Sequence, residues 1–244
     1  MLMKLLFPLA LTAGSLVAAE QSPLAYRFDE VKSKVVRAPG GDEKAEARVA
    51  VGDLASSGDV VWTGFWGKAV VSVPERKSRF EISSSTRVRL AGGEPGLLLV
   101  LEKGRLKAFF EAFTDGSSGE RKVGAPGVVL AVRGTRYGLE VDADGRGLLA
   151  VFEGTVEVLQ TVPDAQPVRV RADELCTFGP HSAPHTSPMR SMGMSEGSWG
   201  MRSGAMGMSP SGQRGMPGMA PGGQQAPKSG SPMGGGSPMG PKGH

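Results

Sequence analysis

The side chains best suited to metal chemistry lie in the last quarter of this 244-residue chain. Ten of its twelve methionines follow Pro188, several of them only one or two residues apart. Thioether sulfur is a soft ligand that suits Cu(I) better than Zn(II), and imidazole adds a ligand for Cu(II). The candidate copper ligands are Met189, Met192, Met194, Met201, Met206, Met208, His181 and His185. The simpler interpretation is that methionine fills space in a flexible segment, so that the protein carries no cofactor.

Catalytic chemistry has little support in the sequence. The three histidines stand at positions 181, 185 and 244, so no histidine lies between Glu20 and Phe178. Histidine is the commonest general base and a usual zinc ligand. A phosphate-binding Gly-Lys-Ser/Thr loop and a Ser-x-x-Lys pair are also missing. The many carboxylates leave a glycosidase-type acid pair open, but solubility alone explains their scatter. We predict a protein that is not an enzyme.

Two Gly-Thr pairs, Gly134-Thr135 and Gly154-Thr155, stand 20 residues apart, and each opens onto alternating apolar and polar residues. This spacing predicts a strand over 136–141, a turn at 142–145, a returning strand up to Phe152 and a new strand after Gly154. Glycine at both turns predicts a positive φ or a close backbone approach. Threonine suits the start of a strand, where its hydroxyl can satisfy a nearby turn amide.

Similar alternation over four to eight residues recurs from Tyr26 to Phe178 and is bounded by Gly, Asp, Pro and Ser. This pattern is typical of β-strands. Residues 97–113 also fit a helix, but Gly104 interrupts them and favours strands. We therefore predict an all-β fold, a multi-stranded β-roll, solenoid or sandwich.

The residues around the two pairs, Val132-Arg-Gly-Thr-Arg-Tyr137 and Glu153-Gly-Thr-Val-Glu-Val158, resemble the end of a FecR-type periplasmic domain. Residues 51–64, 80–90 and 101–106 resemble earlier segments of the same family, so the resemblance covers about residues 49–159. It implies an all-β envelope domain that binds another protein or a polymer, and it offers no catalytic residues. The motif residues that such a contact could use are Arg133, Gly134, Thr135, Arg136, Tyr137, Gly154 and Thr155. Their alternative role is structural, with Arg133 and Arg136 as solvated cross-strand partners.

The chain divides into three parts. Residues 1–19 combine Lys4, a short apolar core and small residues before Glu20, as a secretory signal peptide does. Residues 20–179 form the predicted FecR-like domain. Residues 180–244 contain no Val, Ile, Leu or Phe and predict a disordered tail rich in Met, Gly, Pro and Ser. We expect cleavage after residue 19, a periplasmic or secreted protein, and no membrane span after the signal is removed.

The charge of the domain limits the kinds of partner it can bind, and its cysteine content limits how its fold is stabilised. Residues 20–179 hold 22 Lys and Arg against 23 Asp and Glu, so the domain has almost no net charge. A nucleic-acid partner needs a concentrated basic surface and is not expected. Cys176 is the only cysteine, so no internal disulfide forms, and we predict that it is buried.

The function that these observations predict is a periplasmic protein-binding, scaffold or sensing module. The alternatives are a membrane-anchored regulator related to anti-sigma sensors, and a copper-binding envelope protein.

Overall fold

The computed structural model of the protein describes residues 24–91, 95–113 and 120–199. These residues form seventeen strands and four short 3₁₀ turns, which confirms the predicted all-β fold. The strands are β1 Ala25–Lys32, β2 Val35–Ala38, β3 Ala47–Arg48, β4 Leu54–Ser56, β5 Val60–Thr63, β6 Lys68–Val73, β7 Ser78–Ile82, β8 Arg87–Leu90, β9 Leu97–Phe110, β10 Arg121–Ala125, β11 Val128–Val132, β12 Arg136–Val141, β13 Gly147–Glu153, β14 Thr155–Gln160, β15 Val168–Arg171, β16 Glu174–Gly179 and β17 Ser182–Pro188. The 3₁₀ turns are Pro39–Gly41, Glu43–Ala45, Pro74–Arg76 and Met189–Met192.

The chain alternates between two hydrogen-bonded layers as it proceeds. The first layer has the order β4-β1-β6-β7-β9-β12-β13-β16-β17. The second has the order β3-β2-β5-β8-β9-β10-β11-β14-β15. The pairing of β9 with β10 is parallel, and the other described pairs are antiparallel. The 14-residue strand β9 belongs to both layers and joins them into one network.

Strand β9 changes layers at Gly104. Lys103 is paired with Arg87 of β8 in the second layer, whereas Leu106 is paired with Ile82 of β7 in the first. Gly104 has φ +99°, and a Cβ there would lie 2.6 Å from Cα of Thr86, so glycine is required at this crossing. The strand prediction for this region is confirmed, and the glycine that interrupts the pattern marks a bend within one strand.

The hydrophobic core consists of side chains from both layers. The first layer contributes fully buried residues such as Tyr26, Phe28 and Phe80, and the second contributes residues such as Leu101 and Leu130. In β7 and β8 buried side chains alternate with more exposed ones, as expected for strands with one face on a core. Burial of apolar surface is the main favourable contribution to folding, and with a single cysteine the fold depends on this core and not on an internal disulfide.

Cys176 lies in this core with none of its surface exposed, which confirms the prediction of a buried thiol. Burial raises the pKa of the Cys176 thiol to about 11, because the thiolate would lose its hydration.

The predicted disorder from Pro180 onward is wrong for residues 180–199. Strand β17 pairs with β16 through backbone hydrogen bonds, which need no apolar side chains. Beyond it, Met189 and Trp199 pack with Leu148, Ala150 and Leu175 in a second apolar cluster. A Cβ at Gly138 would overlap the Trp199 ring, so the indole fits where β12 has no side chain. The remainder of the predicted tail, residues 200–244, lies outside the described residues, as does the predicted signal peptide.

Among residues 24–91, 95–113 and 120–199, no helix has the length and apolar character needed to cross a membrane.

Candidate binding groove at the Gly-Thr motifs

The two Gly-Thr turns meet in space. The hairpin of β12 and β13 runs out and back between them, and β14 begins at Thr155, as the 20-residue spacing predicts. Gly134 has φ +55° and Gly154 has φ +81°, which confirms the predicted positive φ at both positions. A Cβ on Gly154 would lie 2.7 Å from the carbonyl oxygen of Gly134. Glycine at position 154 therefore allows the two turns to be in direct backbone contact.

Thr135 fixes this contact from the inside. Its side chain is 2% exposed, and its hydroxyl oxygen lies 3.1 Å from both the Arg133 and the Thr155 carbonyl oxygens. The described contacts of this hydroxyl are with carbonyl oxygens, to which it donates, and not with the turn amide that we predicted. The hydrogen bond from the Thr135 hydroxyl to the Thr155 carbonyl oxygen connects the first turn to the second.

The same corner occurs earlier in the chain, where the sequence analysis did not find it. The buried hydroxyl of Thr86 lies 3.0 Å from the Ser84 carbonyl oxygen and 3.2 Å from that of Arg105. Its partner glycine is Gly104, 18 residues on, as Gly154 is 19 residues after Thr135. In both corners the threonine hydroxyl donates a hydrogen bond to the carbonyl oxygen of the residue that follows the glycine. The similar threonine-to-glycine spacings, 18 and 19 residues, were the signal available in the sequence.

The arginine and tyrosine side chains of the motif have different roles. Arg136 lies opposite Glu153, with its Nη2 3.1 Å from a carboxylate oxygen, which confirms a cross-strand partner. Tyr137 is fully buried and stacks on Phe110 with ring centroids 5.9 Å apart. Burial raises the Tyr137 pKa, because the phenolate would be desolvated. Tyr137 is therefore a core residue, and a contact role for it is wrong. Arg133 is exposed.

The motif turns form the edge of an open groove with a volume of about 1060 Å³. Its walls come from the end of β9, the start of β10, the two Gly-Thr turns, β14 and β15. The residues of the two motif segments that line it are Val132, Arg133, Gly134, Gly154, Thr155 and Glu157. The two motif segments thus supply one edge of the groove, whereas the opposite wall comes from the end of β9, the start of β10 and β15, which carry no motif.

Positive charge predominates along this groove. Four arginines line it, against Glu120 and Glu157. Glu157 is paired with Arg169 at 2.7 Å, and Glu120 lies 3.0 Å from Lys122. Within the described part of the chain neither Arg133 nor Arg171 has an ion-pair partner. Their guanidinium groups are available to an anionic group of a partner.

A second groove of about 750 Å³ adjoins the first and shares Ala112 and Gly134 with it. Its cationic lining residues are Arg27, Lys77, Arg79 and Arg136. Its acidic ones are Glu111 and Glu153. Three of these four cations are in ion pairs, Arg27 with Asp29, Arg79 with Glu81 and Arg136 with Glu153. The positive charge that is open to a partner therefore lies mainly in the first groove, at Arg133 and Arg171, although the whole domain is nearly neutral. An average over residues 20–179 conceals this concentration.

Arg121 is a further residue of this site that sequence reasoning missed. It is 1% exposed, and its Nη1 donates to the Glu111 carbonyl oxygen at 2.7 Å. Its guanidinium carbon lies 4.4 Å from the centre of the Phe113 ring, a cation–π contact. Burial lowers the Arg121 pKa, because the charged form loses hydration. Arg121 holds the end of β9 against the start of β10 and thereby shapes the groove wall.

The candidate copper ligands are placed differently. Met189 is buried in the second apolar cluster and Met194 packs against it, so both thioethers serve packing. Met192 is 45% exposed, and His181 and His185 are exposed on and beside β17. Met201, Met206 and Met208 lie outside the described residues. In the part of the chain that is described, no group of three or more His, Cys, Asp and Glu residues is arranged to hold a metal.

Comparisons with known proteins found no protein-family model and no curated protein that matches the chain. Among solved structures, two crystal structures, at 1.65 and 2.50 Å resolution, of a candidate anti-sigma factor from Parabacteroides distasonis ATCC 8503 are similar. Each is 14% identical, with a TM-score of 0.43, over 53% of this chain and 59% of that one. The shared region thus spans less than two thirds of that protein's length.

Proposed function

We propose that this protein is an exported, non-catalytic FecR-like domain that binds an acidic segment of an envelope protein or polymer in the groove. The observation that carries the proposal is the contact of the two Gly-Thr turns, which brings Arg133, Gly134, Gly154 and Thr155 to one edge of an open, basic groove. The residues that carry the FecR resemblance are thus the residues that shape this groove.

The chemistry of the groove supports binding over catalysis. Its lining contains arginines, glutamates, small residues and Phe113, and no histidine, cysteine or serine among the described residues. Glu157 is engaged with Arg169, while Arg133 and Arg171 present open guanidinium groups. Such a surface attracts carboxylates or phosphates of a partner by charge-assisted hydrogen bonds. Binding an acidic partner segment is the function that this arrangement serves best.

Affinity capture from envelope extracts tests the proposal. The bait is the chain from Glu20 to His244, and the groove variant changes Arg133, Arg169 and Arg171 to Glu. A matched control changes Lys44, Arg48 and Lys103, three exposed residues outside the groove, to Glu. Because both variants change the net charge by six, nonspecific electrostatic effects are equal.

We expect a partner that the wild-type and control baits retain and the groove variant loses. The same partner recovered with all three baits would contradict a role for the groove. Far-ultraviolet circular dichroism and thermal unfolding of the three baits establish that the variants are folded.

Export and anchoring are tested separately by mass spectrometry of the protein from the cell envelope. We expect a mature N-terminus at Glu20. An intact N-terminus would contradict cleavage and favour a membrane-anchored regulator.

A further inference from the structure

The turn between β5 and β6 exposes two aromatic side chains together. Phe65 and Trp66 are 73% and 78% exposed, and their rings form an edge-to-face pair with centroids 4.8 Å apart. Aromatic residues gain more than most from burial, so soluble surfaces rarely expose two neighbouring ones without a contact to make. We call residues 64–67 the aromatic tip.

The aromatic tip is held firmly against the neighbouring turn between β1 and β2. The amide of Gly64 donates to the Lys34 carbonyl oxygen at 2.8 Å, and the amide of Gly67 donates to that of Gly64 at 2.9 Å. A Cβ on Gly67 would collide with the Lys34 carbonyl oxygen, so the two turns are in backbone contact. The aromatic rings therefore project from a fixed base.

Three lysines surround the aromatic tip. Lys32 and Lys68 are paired across β1 and β6, and Lys34 lies under Gly64, with its Cβ 3.2 Å from the position of a Cβ there. All three lysines are exposed. Residues 31–36, 62–69 and the adjoining turn 83–85 contain no Asp or Glu. Glu30 and Glu81 lie farther from the tip, where both are paired with Val70 of β6. The end of the first layer thus combines two exposed rings with local positive charge.

We propose that the aromatic tip and its lysines bind the surface of an anionic lipid bilayer. Tryptophan and phenylalanine enter the interface between lipid headgroups and acyl chains, while lysines stay among the phosphates. Each lysine near an anionic surface contributes about a fivefold gain in affinity. The projecting shape fits a bilayer, which a convex aromatic pair can enter. Recognition of a sugar would need carboxylate or amide acceptors, which residues 31–36 and 62–69 lack.

This binding site is independent of the groove and lies at the opposite end of the same strand. Strand β6 begins at Lys68 beside the aromatic tip and ends at Val73, between Ser72 and Pro74 of the second groove. Six residues of strand span about 20 Å. A domain attached to a bilayer through the aromatic tip would therefore present its groove away from the lipid.

Vesicle co-sedimentation tests the proposal with the chain from Glu20 to His244. The probes are vesicles of phosphatidylcholine alone and vesicles with equal parts of phosphatidylcholine and phosphatidylglycerol. One variant changes Phe65 and Trp66 to Ala, and its control changes Val51 and Leu54, which are 63% and 60% exposed elsewhere, to Ala.

A second variant changes Lys32, Lys34 and Lys68 to Gln, and its control changes Lys44, Arg48 and Lys103 to Gln. We expect the wild-type chain and both controls to bind the anionic vesicles and not the neutral ones. The lysine variant should bind about 100-fold more weakly, from three fivefold losses, and the aromatic variant at least tenfold more weakly.

Wild-type protein that stays in the supernatant with anionic vesicles would overturn the proposal. Equal binding by the aromatic variant and the wild type would overturn it as well. Retention on insoluble glycan strands without vesicle binding would replace it with a carbohydrate site. Because the altered side chains are exposed, thermal unfolding should be unchanged in all four variants.

Discussion

Replacement of Gly154 by Ala should be among the most damaging small substitutions in the domain. Gly154 has φ +81°, which costs an L-residue about 1–2 kcal/mol. Its new Cβ would also lie 2.7 Å from the Gly134 carbonyl oxygen and 3.2 Å from Cα of Thr135. These are backbone atoms, which cannot rotate away, and overpacking of this kind costs about 1–3 kcal/mol more.

Gly52 provides the matched control for this prediction. It has φ +89°, but a Cβ there would meet nothing within 4 Å. Gly52→Ala therefore carries the conformational cost of about 1–2 kcal/mol alone. The difference between the two variants isolates the contact of the Gly-Thr turns, and we expect Gly154→Ala to lower the free energy of unfolding by about 1–3 kcal/mol more than Gly52→Ala.

Urea unfolding followed by circular dichroism measures both free energies, and thermal unfolding gives a second reading. For a domain of this size 1 kcal/mol corresponds to about 2–4 °C in Tm. If Gly154→Ala destabilises the domain no more than Gly52→Ala, the close approach of the two turns does not require glycine at position 154.

Three further predictions concern the corner, the C-terminal segment and the thiol. Thr135→Val removes a buried hydroxyl between two carbonyls and should cost about 1–2 kcal/mol in urea unfolding, whereas the half-buried Thr155→Val should cost less; equal losses would contradict this. Trp199→Ala should lower stability by about 3 kcal/mol, because the ring is buried, while Val162→Ala, at a residue that is 51% exposed, should change it little; similar stability of both variants would remove residues 180–199 from the fold. Burial raises the pKa of the Cys176 thiol from 9 to about 11, so between these pH values the thiol ionises in the unfolded chain and not in the folded one. The free energy of unfolding should therefore be unaffected by this group below about pH 9 and should fall as the pH rises toward 11. Urea unfolding between pH 8 and 11 should therefore show a smaller decline for Cys176→Ala than for the wild type, and parallel declines would refute the linkage.

The local part of the fold was predictable from the sequence. The length from Gly134 to Gly154 matches a strand, a four-residue turn and a return strand, so β12, β13 and β14 could be placed within a residue or two. Burial of Cys176 followed from its apolar neighbours. Both inferences use contacts between residues close in sequence, where period and turn chemistry decide the outcome.

Long-range features escaped the sequence analysis for physical reasons. Strand β17 has no buried side chain, because an edge strand can be held by backbone hydrogen bonds alone, so its composition resembled disorder. Arg121 looks like any solvated arginine in an alternating strand, and only the packing of Phe113 and the end of β9 shows that it is buried. The groove could not be predicted from the sequence either, because its walls come from strands that are far apart in sequence.

The crossing of β9 between the layers has a kinetic consequence. Strand β9 pairs with β7 and β12 in one layer and with β8 and β10 in the other. The central pairings of both layers therefore cannot form until β9 is in place. Many of these contacts join residues distant in sequence, and such topologies fold slowly, in milliseconds to seconds. Neither layer can persist without the shared strand, so the two should be lost and gained together as one cooperative unit.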